Sequence, residues 1–167
     1  MTTVVVNDAS CLIDLKKGRL LHAMVGLPFR FVVPYTVRVS ELLDFTAQEW
    51  QMLEDGGIET HDLPPAGIQD ALALKAQHPA LSANDAICLV TTLQFEAAIL
   101  MTGDASLRRV AERRSVRVHG VLWLHDQLRS AGTASTELLR SALAVWRDDP
   151  AVFLPEAELA KRLRLLG

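Results

Sequence analysis

Short apolar runs alternate along the chain with longer stretches whose apolar residues recur every three or four positions. Runs at 3–7, 29–33, 97–102 and 116–119 are rich in β-branched and aliphatic residues, and 58–63 adds a weaker one. Unbroken runs such as Val4-Val5-Val6 suit strands covered on both faces. Between them lie helical patterns. One starts at Ser10 with Leu12, Ile13 and Leu15 on its apolar side and breaks at Gly18. A second carries Leu20, Leu21 and Met24 and ends near Gly26. Pro34 opens a third, predicted to run to about Phe45. Thr46 and Glu49 have capping-box spacing at the head of a helix over 46–53, and Pro64-Pro65 precede one that runs to about Gln77. Ser82 heads a helix with Ile87, Leu89, Val90 and Leu93 apolar. Helices over 106–113, 122–129, 137–146 and 156–165 complete the chain. This alternation predicts an α/β fold, three layers α/β/α around a central parallel twisted sheet, with a helical C-terminal tail. Gly132-Thr133-Ala134-Ser135 is the only linker-like stretch, so residues 1–131 are expected to form the main body and 132–167 a helical extension packed on it.

Half of the 167 residues are hydrophobic, which excludes a disordered chain and suffices for one core. No apolar run approaches the ~20 residues of a spanning helix, and no basic stretch followed by an apolar region heads the chain, so neither a membrane partner nor a signal peptide is expected. Cys11 and Cys88 stand far apart in apolar segments and read as buried reduced thiols, which suits the cytoplasm. The net charge of −3 does not advertise nucleic-acid binding, although a cluster of functional acids would lower it by itself. Lys16-Lys17-Gly18-Arg19 and the arginines at 108, 109, 113, 114 and 117 read equally well as solvated helix faces. The five histidines lack zinc spacing. Trp50, Trp123 and Trp146 fall at helical apolar positions and read as packing residues. No Gly-x-Gly-x-x-Gly or Walker-type loop is present to cradle a nucleotide cofactor.

The candidate chemistry lies in four carboxylates near the junctions of strands and helices: Asp8, Glu41, Asp85 and Asp104. Parallel sheets gather functional residues at the carboxyl ends of their strands, so acids far apart in sequence can meet there. Such a cluster stays ionised only if a cation neutralises it, and hard oxygen donors suit Mg²⁺ or Mn²⁺. Each acid has another reading. Asp8 or Ser10 can cap the helix that follows. Glu41, placed inside the third helix, can pair with Arg38. Asp85 stands third after Ser82, as in a capping box. Asp104 can cap the helix after Thr102-Gly103, where Gly103 would allow a sharp turn and a close ligand approach.

In sequence order, Asn7-Asp8-Ala9-Ser10, Val39-Ser40-Glu41-Leu42-Leu43, Leu81-Ser82-Ala83-Asn84-Asp85-Ala86 and Thr102-Gly103-Asp104-Ala105-Ser106-Leu107 resemble the pattern of PIN-domain metal-dependent ribonucleases. The resemblance covers about residues 4–124. The helices beyond are similar to the tail of a longer bacterial and archaeal PIN subgroup. It implies hydrolysis of RNA phosphodiester bonds, with Asp8, Asp85 and Asp104 as ligands of Mg²⁺ (or Mn²⁺), Glu41 completing the acidic ring, and Ser10, Asn84 and Thr102 supporting them or the substrate. It also implies the toxin of a toxin–antitoxin pair, restrained by a small antitoxin that places an Arg or Lys among the acids. Leu12, Leu15, Leu20, Leu21 and Met24 would then either offer a groove for a partner helix or pair two copies as a homodimer, or else be simply core. The alternatives are a catalytically silent PIN-like module that binds nucleic acid or protein, and a DNA nuclease.

Overall fold

All five runs form strands of one parallel sheet, in a computed structural model that describes residues 1–167. They are β1 (Val4–Asn7), β2 (Arg30–Pro34), β3 (Glu59–His61), β4 (Ile99–Met101) and β5 (Arg117–His119). The sheet order is β3-β2-β1-β4-β5. Every residue of β1 is buried, as its central place demands. Val5 pairs with Phe31 of β2, and Val6 with Leu100 of β4. The chain moves outward from β1 to β3, then returns to lay β4 on the other side. Strand order therefore reverses between β1 and β4, and the crevice beyond the carboxyl ends of such a pair is where doubly wound sheets take ligands.

α6 (Ala83–Leu93) lies against β1, β2 and β4, with α5 (Pro65–Gln77) and α7 (Ala105–Arg113) beside it. α1 (Ala9–Lys17), α2 (Leu21–Val25), α8 (Val121–Ala131) and α9 (Thr136–Asp148) pack on one another as a second group. The result is the three-layer α/β/α arrangement that the alternation predicts. α3 (Tyr35–Ser40) follows β2, α4 (Ala47–Asp55) packs on α2, and α10 (Glu156–Leu166) packs on α9. No helix is long and apolar enough to cross a membrane.

Two expectations are corrected. The third helix stops at Ser40 rather than near Phe45, because the chain bends to bury Leu42 and Phe45, and Phe45 then packs on Trp50 at 5.4 Å. Leu12, Leu15, Leu20, Leu21 and Met24 are all buried in the one core, so they offer no groove to a partner. The early helices spend their apolar sides on α8 and α9 instead.

The tail joins the same core. Trp146 is buried, and its Nε1 donates to the Asp14 carbonyl at 2.7 Å. Gly18 ends α1 where α9 passes closely: a Cβ there would stand 3.0 Å from Ala142 Cβ and 3.1 Å from Trp146 Cζ2. Gly132 closes α8 in the left-handed conformation, φ 67°, which a glycine adopts without steric cost. Arg162 of α10 grips Asp126 of α8 through two bonds, Nε to Oδ1 at 2.9 Å and Nη2 to Oδ2 at 2.8 Å.

Candidate active site

Asp8 stands at the β1 end of the crevice, where its backbone N–H still continues the sheet by donating to Met101 O at 2.9 Å. It is the N-cap of α1, only 5% exposed, and its Oδ1 accepts from the Ala9 N–H at 2.8 Å. Oδ2 accepts from the Thr102 hydroxyl at 2.8 Å and the Ser10 hydroxyl at 3.3 Å. Burial pushes the Asp8 carboxyl up to about 6, and the Asp85 and Glu41 carboxylates add to it. The Thr102 hydroxyl and the Ala9 amide oppose the rise. Asp85 and Glu41 thus each repel a charge on Asp8. One residue earlier, Asn7 gives its amide N–H to Val5 O and Val32 O, and its buried Oδ1 meets no donor.

Thr102, at the end of β4, is fully buried and joins two of the acids. Its hydroxyl donates to Asp8 and accepts the Asp104 backbone N–H at 3.0 Å. Asp104 caps α7, with Oδ1 accepting from Leu107 N at 2.7 Å. Ser10 ties the same loop to α1 by accepting the Gly103 N–H at 3.1 Å. Gly103 itself has no positive φ, and a Cβ there would sit 3.6 Å from Ser10 Oγ, ordinary contact. The tight turn expected of this glycine is therefore not what the loop uses.

Glu41 lies just past α3 as its C-cap, not inside a helix. It does not pair with Arg38, which turns away to Glu54 and Thr60, both at 2.8 Å, and lies over the Trp50 ring at 4.1 Å. Glu41 is held instead by Asn84, whose Nδ2 donates to Glu41 Oε2 and to Ser40 Oγ, both at 2.9 Å. This contact joins the β2 side of the crevice to the head of α6. Asp85, next in the chain, completes the capping box: Ser82 N donates to Asp85 Oδ2 at 2.9 Å, and Asp85 N to Ser82 Oγ at 3.0 Å. The capping readings of Asp8, Asp85 and Asp104 are thus all realised, yet they do not exhaust the carboxylates. Glu41 Oε1, Asp85 Oδ1 and Asp104 Oδ2 accept no hydrogen bond.

None of the four acids is paired with Lys, Arg or His, although eight ion pairs form elsewhere in the chain. Three of them, Asp8, Asp85 and Asp104, stand at the starts of α1, α6 and α7, whose positive dipole ends favour anions. As the side chains lie, no three carboxylates, histidines or cysteines stand close enough together to hold one ion. The donor chemistry nevertheless fits a hard divalent cation: carboxylate oxygens without hydrogen bonds or basic partners, and acids whose charges raise the Asp8 carboxyl.

A family model for the PIN domain matches residues 4–167, nearly the whole length. The chain belongs to the PIN-domain family. PIN domains are nucleases as a class and typically use divalent metals. No curated protein matches the chain. The match extends through α9 and α10, so in this PIN domain the C-terminal helices are part of the family's span.

Trp123 packs against the core, as its helical position predicts, with Phe29 at 5.5 Å, but it is only half-buried and also borders a cleft beside Thr102 and Gly103. His119 lies stacked on it at 4.5 Å. The signal available was the position of Trp123 just after a strand end, the same kind of place that drew attention to the acids. Cys11 and Cys88 are buried free thiols, and burial pushes both well up, so they are inert.

Proposed function

We propose that this PIN domain is a metal-dependent endoribonuclease acting in the cytoplasm, and the toxin of a toxin–antitoxin pair. The observation that carries the reading is the group of four carboxylates at the strand-order reversal, none of them neutralised by a basic side chain. Asp8, Asp85 and Asp104 are the residues that would hold Mg²⁺ or Mn²⁺, with Glu41 completing the ring. Such a cation supplies charge neutralisation at a phosphodiester and makes water a better nucleophile at neutral pH. The chain's own groups do the positioning. Thr102 fixes Asp8 and Asp104 relative to each other, and Asn84 fixes Glu41 relative to α6. The helix starts orient N–H dipoles toward an incoming phosphate.

A second reading, a silent binding module, draws on the capping bonds of Asp85 and Asp104, which give both residues a structural use. Cleavage assays separate the two. The purified chain should cut RNA with Mg²⁺ or Mn²⁺ and stop in chelator. Cleavage at full rate without divalent ions would overturn the mechanism, and binding without cleavage would favour the module. Single-stranded DNA assayed in parallel tests the choice of substrate. Expression without its genomic neighbour should arrest growth. If growth continues and no neighbour co-purifies, the toxin role fails and the nuclease role stands alone.

A further inference from the structure

A cleft of about 560 Å³ opens on the β4 side of the acids and shares Ser10, Thr102 and Gly103 with the surroundings of Asp8. Two aromatic rings border it. Trp123 is braced from behind by His119, their planes within 8° of parallel. Phe153, in the segment joining α9 to α10, is 90% exposed, an unusual place for a large apolar side chain with nothing on it. Asp14 also lines the cleft. It is half-buried, and its side chain makes no hydrogen bond or ion pair; burial pushes its carboxyl up to about 6, with Lys17 opposing and Asp149 adding to the rise. Arg108 completes the set. Its Nη1 meets Val118 O at 3.3 Å and Glu112 at 3.6 Å, and its Nη2 makes no hydrogen bond.

We infer that this cleft holds an unpaired guanine nucleotide of the RNA strand, its base against Trp123 and Phe153, its Watson–Crick edge on Asp14 and its phosphate side toward Arg108. Unpaired RNA bases are read by stacking on aromatic side chains and by hydrogen bonds to that edge. An ionised carboxylate only accepts, and guanine offers two adjacent N–H donors, where adenine, cytosine and uracil each set an acceptor beside their donor. Continuity with the acids supplies the rest: Ser10 and Gly103 line the cleft and Ser10 also bonds Asp8, so a strand with one phosphate at Asp8 has the cleft beside it. The inference takes the strand's path from the nuclease reading, but the binding itself needs no turnover.

The test is titration of the whole chain, in chelator, with the 5′-monophosphates of guanosine, adenosine, cytidine and uridine. Calorimetry gives Kd, and tryptophan fluorescence gives the place, because Trp50 and Trp146 are buried and Trp123 is the accessible indole. Guanosine monophosphate should bind tightest and quench. Phe153→Ala, at an exposed position, should weaken it about fivefold or more, as loss of one stacking surface does. Asp14→Asn should erase the preference for guanine over adenine. Absence of saturable binding, a preference for a pyrimidine, or binding unchanged in both variants would each overturn the inference. RNA cleavage together with any of those results leaves the nuclease standing without this site. Guanine binding without cleavage supports the site and removes the nuclease.

Discussion

Replacing Asp8 by Asn should make the metal-free protein more stable at neutral pH and less stable in acid. The Asp8 carboxyl is held at about 6 against 3.8 for the free group. At about 1.36 kcal/mol per pKa unit, ionising it inside the fold costs about 3 kcal/mol more than in the unfolded chain. Because the folded pKa is raised, the favourable contribution is complete below 3.8 and is lost as pH rises through about 6. Asn removes the ionisation but leaves one oxygen where Asp8 uses two, so either the Thr102 hydroxyl or the Ala9 N–H loses its acceptor, which costs about 1 kcal/mol. The net gain above pH 7 is then about 2 kcal/mol, or roughly 4–8 °C in Tm for a chain of this size. Below about pH 4 only the lost bond remains, and the variant should fall about 1 kcal/mol under the parent. Urea denaturation of both proteins in chelator, at neutral and at acid pH, reads the crossing directly. Equal stability at both pH values would refute the reasoning, because it is what a plain helix cap predicts, where Asn serves as well as Asp.

Thr102→Val should leave the Asp104 N–H without its acceptor and Asp8 without one of its three donors, costing about 1–3 kcal/mol and lowering cleavage, measured by denaturation and by RNA turnover. Mn²⁺ should raise the Tm of the parent chain and not that of Asp8→Asn, since only a cation that binds the folded state stabilises it; equal shifts would place the ion elsewhere. Gly18→Ala should loosen the contact of α1 with α9 by driving a methyl into Ala142 and Trp146, with a cost of about 1–3 kcal/mol seen as a lower Tm.

The sheet, the helices and their order were legible because the period of the apolar residues reports directly on which faces are covered. Asp8, Asp85 and Asp104 were legible as candidates because each stands where that pattern changes period, whereas Glu41 reads as lying inside a helix. What escaped depended on contacts between distant segments. Glu41 sits at the C-cap of α3 only because burial of Leu42 and Phe45 bends the chain, and no local signal marks that end. Periodicity shows that Leu12, Leu15, Leu20, Leu21 and Met24 need cover but not whether the cover comes from α8 and α9 or from another molecule. The bridge from Asn84 to Glu41 spans 43 positions and has no sequence signature. Trp123 reads as a packing residue in a linear reading, and only the path of the segment after α9 brings Phe153 to the cleft that Trp123 borders.

Asp85 carries both a reciprocal capping box and the heaviest functional claim, so RNA turnover by Asp85→Asn in saturating Mn²⁺, compared with the parent at an equal folded fraction, tests the account most directly. Asn retains an oxygen to accept the Ser82 N–H, so the capping box should survive and the stability should change by less than the ~1 kcal/mol of a lost cap. The account predicts near-complete loss of cleavage with the fold intact. Undiminished turnover would contradict it and leave Asp85 a helix cap alone.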